Sequence, residues 1–94
     1  MTKTHLGSVV TLTKDTDYTT LYDGYFEIMF NTADPQGNHY NYAYVDGVNL
    51  FTLNTPKSAQ YFGYVRNALF VRKGSVIKFT GSTYAVGYFY PITS

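Results

Sequence analysis

The chain contains no cysteine, no tryptophan and only three prolines, and Asp, Glu, Lys and Arg together make just 14% of its 94 residues. Each shortage excludes something. Without cysteine there is no disulfide framework, no thiol nucleophile and no thiolate zinc site. The charged fraction is well under the usual ~25%. With a net charge of +1, it is too small to drive binding to a nucleic-acid backbone or to hold a chain open by self-repulsion. No stretch approaches the ~18 consecutive apolar residues of a membrane helix, so membrane insertion is not expected. Residues 1–5 carry no apolar run of the kind that forms a signal-peptide core and are expected to fray.

Aromatic residues are abundant: eleven Tyr and seven Phe make up 19% of the chain. The length is that of one domain, residues 1–94, which buries only roughly two-thirds of its unfolded surface. A small core without disulfides needs another stabiliser, and oligomerisation supplies one.

Period-2 alternation bounded by turn residues runs through most of the sequence and predicts an all-β fold. Leu6 to Thr13 reads as a first strand, broken by Lys14-Asp15-Thr16-Asp17. Asp23-Gly24 launches Tyr25 to Phe30, with Phe26, Ile28 and Phe30 on one face and Tyr25 and Glu27 on the other. Residues 33–38 form a loop by composition. Tyr40, Tyr42 and Tyr44 then alternate with Asn41 and Ala43 before Asp46-Gly47 and a second run from Val48 to Leu53. Asp-Gly between two alternating runs predicts a type I′ hairpin, which needs positive φ at both central residues. Between Ser58 and Arg72, Tyr61, Phe62, Val65, Ala68 and Leu69 fit a helical stripe. Gly63 and the poor helix propensity of Tyr, Val and Phe favour a strand there instead. Arg72-Lys73-Gly74-Ser75 and Gly81-Ser82 separate two last strands ending at Pro91. Seven or eight short strands predict an antiparallel β-sandwich, jelly roll or small barrel. Gly24, Gly63 and Gly87 each precede a Tyr, an arrangement that lets a ring cover bare backbone.

The sequence gives little support for catalysis. Ser8, Ser75 and Ser82 each follow a glycine, but none completes a G-x-S-x-G elbow, and the only imidazole bases are His5 and His39. A paired-carboxylate glycosidase would draw on Asp15, Asp17, Asp23, Glu27, Asp34 and Asp46. Asp15, Asp23, Asp34 and Asp46 stand in turns, where Asp bonds its own backbone. Asp15 and Asp17 alone make a weak cation site, and His39 would ligate a metal only across a threefold axis. No enzyme activity, metal or cofactor is expected. Arg66, Arg72, Lys73 and Lys78 suit a solvated sheet face better than a basic groove, so no nucleic-acid partner is expected.

The tyrosines carry the most information. Tyr40, Tyr42 and Tyr44 share one face, with Asn38 and Asn41 nearby. They form either a ligand-facing surface of amphipathic rings or a face covered between subunits. The candidate ligand-binding residues are Asn38, His39, Tyr40 and Tyr42.

Four segments carry a family resemblance. Thr19-Thr20-Leu21-Tyr22-Asp23-Gly24-Tyr25-Phe26-Glu27-Ile28 resembles the opening strand of C1q/TNF-like jelly rolls. Tyr44-Val45-Asp46-Gly47-Val48 is similar to their strand–turn–strand unit. Leu69-Phe70-Val71-Arg72-Lys73-Gly74-Ser75-Val76-Ile77 is similar to their Lys-Gly hairpin, with Ser75 in place of the usual Asp. Tyr84 to Ile92 resembles the last aromatic strand. The chain is shorter than most of that family, and compact versions resemble C-terminal tips of bacteriophage tail fibres and receptor-binding proteins. The resemblance implies a jelly-roll homotrimer at a virion tail or fibre tip that binds a host-cell surface glycan or protein. It names no site residue. Two other readings stand beside it: a structural virion module for capsid decoration or fibre trimerisation, and a carbohydrate-binding module of a larger protein.

Overall fold

A computed structural model describes residues 7–30, 39–55 and 66–93. Among them lie eight strands: β1 (Val10–Thr11), β2 (Tyr18–Thr19), β3 (Gly24–Phe30), β4 (His39–Val45), β5 (Val48–Thr55), β6 (Arg66–Val71), β7 (Val76–Gly81) and β8 (Ala85–Pro91). They form two four-stranded antiparallel sheets, a first of order β1-β8-β3-β6 and a second of order β2-β7-β4-β5. The chain is therefore an all-β sandwich. Early strands pair with late ones: β1 with β8, β2 with β7, β3 with β6, β4 with β5.

Alternation explains which residues fill the space between the sheets. Phe26, Ile28 and Phe30 point inward from β3 and meet Ala43, Ile77 and Phe79 of the second sheet, with Phe89 and Val71 completing the core. Burying each large side chain contributes on the order of 1.5–3 kcal/mol. Gly87 lets this interlock close. A Cβ there would stand 2.5 Å from the Phe79 ring, so Phe79 lies directly on bare backbone of the opposite sheet. The ring covering this glycine comes from across the core rather than from the adjacent Tyr88. Gly24 is similarly pressed by the Phe89 ring, and Gly63 lies outside the described residues.

The turns follow the local chemistry. Asp46 (φ 52°) and Gly47 (φ 82°) adopt the two positive dihedrals of a type I′ turn and join β4 to β5. The hairpin register shifts between Ala43 and Tyr44, leaving Leu50 as the extra residue of a bulge, half exposed. Asp46 Oδ1 accepts from Val76 N–H at 2.9 Å, and Asp23 Oδ1 from Lys73 N–H at 2.7 Å. These turn aspartates thus spend their carboxylates on backbone donors of distant segments, around Lys73 and Val76, rather than on their own backbone as expected.

Two expectations change and one holds. The first strand is Val10–Thr11 only, shorter than Leu6 to Thr13. β2 is a separate two-residue strand that no alternation announces. Of the segment from Ser58 to Arg72, residues 58–65 lie outside the described part, and Arg66–Val71 is a strand, not a helix.

Candidate functional site

The outward side of the second sheet is built around β4. Asn41 and Ala43 are fully buried, so Tyr40, Tyr42 and Tyr44 between them face outward. The Tyr40 and Tyr42 rings are nearly parallel, 10° apart with centroids 6.2 Å from each other. Cross-strand neighbours flank the row with short polar groups. Tyr42 stands between Thr52 of β5 and Thr80 of β7, Tyr40 is paired with Asn54, and Tyr44 stands between Asn49 and Lys78. Lys78 Nζ lies 5.3 Å from the Tyr44 ring centroid, within cation–π range. A row of rings interleaved with hydroxyls, amides and one ammonium can cover the apolar face of a polar ligand and also bond its edges.

Where the row meets the β4–β5 turn, the surface sinks into a depression of about 390 Å³ lined by Asp17, Tyr44, Asp46, Gly47, Val76 and Lys78. Asp17 lies one residue before β2, whose register with β7 carries Tyr18 opposite Ile77. That places Asp17 beside Lys78.

The structure brings only part of the sequence-predicted site together. Tyr40 and Tyr42 share the outer face. Asn38 lies outside the described residues. His39 is not on that face. Alternation turns its ring to the other side, 4.8 Å from Tyr84 and 6.2 Å from Phe30 between ring centroids. Asn41 does not join the tyrosine surface either. Its Nδ2 donates to the Met29 carbonyl (3.2 Å) and the Val86 carbonyl (3.1 Å), tying β4 to the first sheet through the core. Asn41 Oδ1 is buried without a described partner. Groups of three or more His, Cys, Asp or Glu able to hold a metal are absent among the described residues.

The outward side of the first sheet has a different chemistry that the sequence reading missed. Glu27 points away from the core yet is only 8% exposed, because neighbouring strands cover it. Tyr90 Oη donates to Glu27 Oε1 at 2.8 Å, and Arg66 Nη1 stands 3.7 Å from Oε2. Burial, then the hydrogen bond and negative charge of Glu27, raises the Tyr90 phenol above its ordinary value. Around this network lie Tyr25 against Phe70, edge-on at 5.8 Å, and Tyr88 beside Tyr90 at 6.3 Å. Tyr25 is 44% exposed and Phe70 48%. The signal that was available was cross-strand: Glu27 alternates with apolar residues in a strand flanked on both sides by aromatic strands.

No protein-family model, curated protein or solved structure matches the chain.

Proposed function

We propose that the chain is a non-enzymatic jelly-roll head domain of a bacteriophage tail fibre or receptor-binding protein, acting as a homotrimer that attaches to a glycan on the bacterial surface. The jelly-roll reading draws support from the pairing of β1 with β8, β2 with β7, β3 with β6 and β4 with β5. That is the pattern of one long hairpin rolled into two sheets. The assignment to a virion tip rests on the resemblance of the strand and hairpin segments.

One observation carries the functional reading: the two outward faces are both aromatic but differ in what separates the rings. The first sheet exposes Tyr25 and Phe70 around a carboxylate that is already sequestered. Such a face suits burial against further copies of the chain, which a small cysteine-free domain needs. The second sheet interleaves Tyr40, Tyr42 and Tyr44 with Thr52, Asn54, Lys78 and Thr80, which suits a saccharide. Three such faces act together, and avidity multiplies weak contacts.

Light scattering of the chain and its adsorption to host cells or a glycan array test this. A trimer whose adsorption disappears in Tyr40→Ala/Tyr42→Ala, with its mass unchanged, is the expected result. A trimer without adsorption means a structural virion module instead, and a saccharide-binding monomer means a carbohydrate-binding module.

A further inference from the structure

We infer that the depression at the end of the tyrosine row is the subsite for a terminal sugar residue without negative charge, and that Asp17 and Lys78 set this preference. The inference rests on the glycan reading of the second sheet and adds a ligand class and two specificity-determining residues.

The tyrosine row spans about 13 Å from Tyr40 to Tyr44, four residues at about 3.3 Å each, the length of a short oligosaccharide. Its two ends differ. At the Tyr40 end the paired neighbour is the uncharged Asn54. At the Tyr44 end the surface becomes concave and Asp17, Asp46 and Lys78 line it together, whereas the charged group held near the Tyr40 end is the Lys14 ammonium, which is spent on the Ser82 carbonyl at 3.2 Å. The balance in the depression is one positive charge against two negative.

Each group has capacity left for a ligand. Asp46 commits Oδ1 to Val76 N–H, which leaves Oδ2 as an acceptor. Asp17 is exposed and makes no hydrogen bond or ion pair with another described residue. Lys78 holds its ammonium over the Tyr44 ring and can donate to a ring or hydroxyl oxygen. Two carboxylates beside one ammonium suit vicinal hydroxyls, each of which donates to a carboxylate while accepting from a neighbour. Val76 and the Tyr44 ring give the sugar an apolar contact. A uronic acid or a phosphorylated sugar would set its charge against Asp17 and Asp46, two exposed carboxylates lining the depression, and like charges brought together across an interface act against the wrong partner.

The test is a titration of the intact chain against paired oligosaccharides that differ only in ending in a neutral hexose or the corresponding hexuronic acid. Wild type is expected to prefer the neutral end by about tenfold or more. Asp17→Asn should narrow that preference, and Asp17→Lys should reverse it. Lys78→Met should weaken the neutral ligand severalfold. Circular dichroism and light scattering of each variant check that fold and assembly persist. A preference unmoved by Asp17→Lys, in a protein whose binding is lost in Tyr40→Ala/Tyr42→Ala, overturns the subsite and leaves the glycan reading standing. Wild type that binds no saccharide overturns both.

Discussion

The two outward faces of this sandwich look alike as compositions and unlike as surfaces. Tyr25, Phe70, Tyr88 and Tyr90 decorate one, Tyr40, Tyr42 and Tyr44 the other. On the first face the polar partner is a single carboxylate drawn beneath the rings, with its hydrogen-bonding capacity turned inward to Tyr90. On the second the polar groups stand between and beside the rings, where Asn49 Nδ2 donates to Thr52 Oγ1 at an exposed 3.4 Å and Lys78 lies over Tyr44. An aromatic row is therefore not informative by itself. The placement of the polar atoms decides whether a face prefers another protein surface or a hydrated ligand, because a buried donor or acceptor must find its partner before the face closes.

The largest expected effect is a double dissociation between the faces. Tyr25→Ser with Phe70→Ser should turn the proposed trimer into a monomer by light scattering, because both side chains are about half exposed in the single chain and gain most from being covered. Tyr40→Ser with Tyr42→Ser should leave the mass unchanged and remove adsorption to cells. If the second pair dissolves the assembly and the first does not, the assignment of the two faces is reversed.

Much of this was legible in sequence, and what was not has a physical reason. The β4–β5 hairpin could be read because Asp46-Gly47 is one of few dipeptides that accept positive φ twice in succession. The buried face of β3 could be read because Phe26, Ile28 and Phe30 keep strict alternation. β2 could not, since two residues carry no period and its existence depends on β7 arriving beside it. At the candidate site, the outward direction of Tyr40 and Tyr42 followed from alternation. The same rule sends His39 and Asn41 the other way, and proximity in sequence alone misplaces them. The depression was not readable, because Asp17, Lys78 and Asp46 lie far apart in the chain and meet only through the order β2-β7-β4. Glu27 looked solvent-facing for the same reason. Its cover comes from β6 and β8, which are distant in sequence.

A smaller effect sharpens the contrast in energy. Glu27→Ala removes the acceptor of the Tyr90 hydroxyl, a partly buried donor that water can reach, so denaturant unfolding at fixed protein concentration should show a loss of about 0.5–1.5 kcal/mol. Glu27→Gln keeps an acceptor oxygen and gives up only the 3.7 Å contact to a largely exposed Arg66, which is worth less. On the other face, Thr52→Ala, at an exposed position of an edge strand, should stay within about 0.5 kcal/mol. Equal costs on both faces would mean that Glu27 is not held as described.

The subtlest distinction is one of pH. The folded state raises the Tyr90 phenol above its ordinary value of 10.0, through burial first and then through Glu27. A raised value means that folding favours the protonated phenol, so this contribution is complete below about pH 10 and fades as pH climbs through the higher folded value. The physical event is plain: an ionised Tyr90 can no longer donate to Glu27 and instead sets two negative charges against each other. Tyr90→Phe lacks both the bond and its loss. The stability gap between wild type and Tyr90→Phe should therefore be constant through neutral pH and narrow above about pH 10, measured by urea midpoints from about pH 8 to about pH 11. Retained assembly across that range keeps the comparison within one oligomeric state. A gap that holds steady to the alkaline limit would place the Tyr90 proton outside the Glu27 pair. The first face would then lose the one polar bond that distinguishes it from a simple aromatic patch.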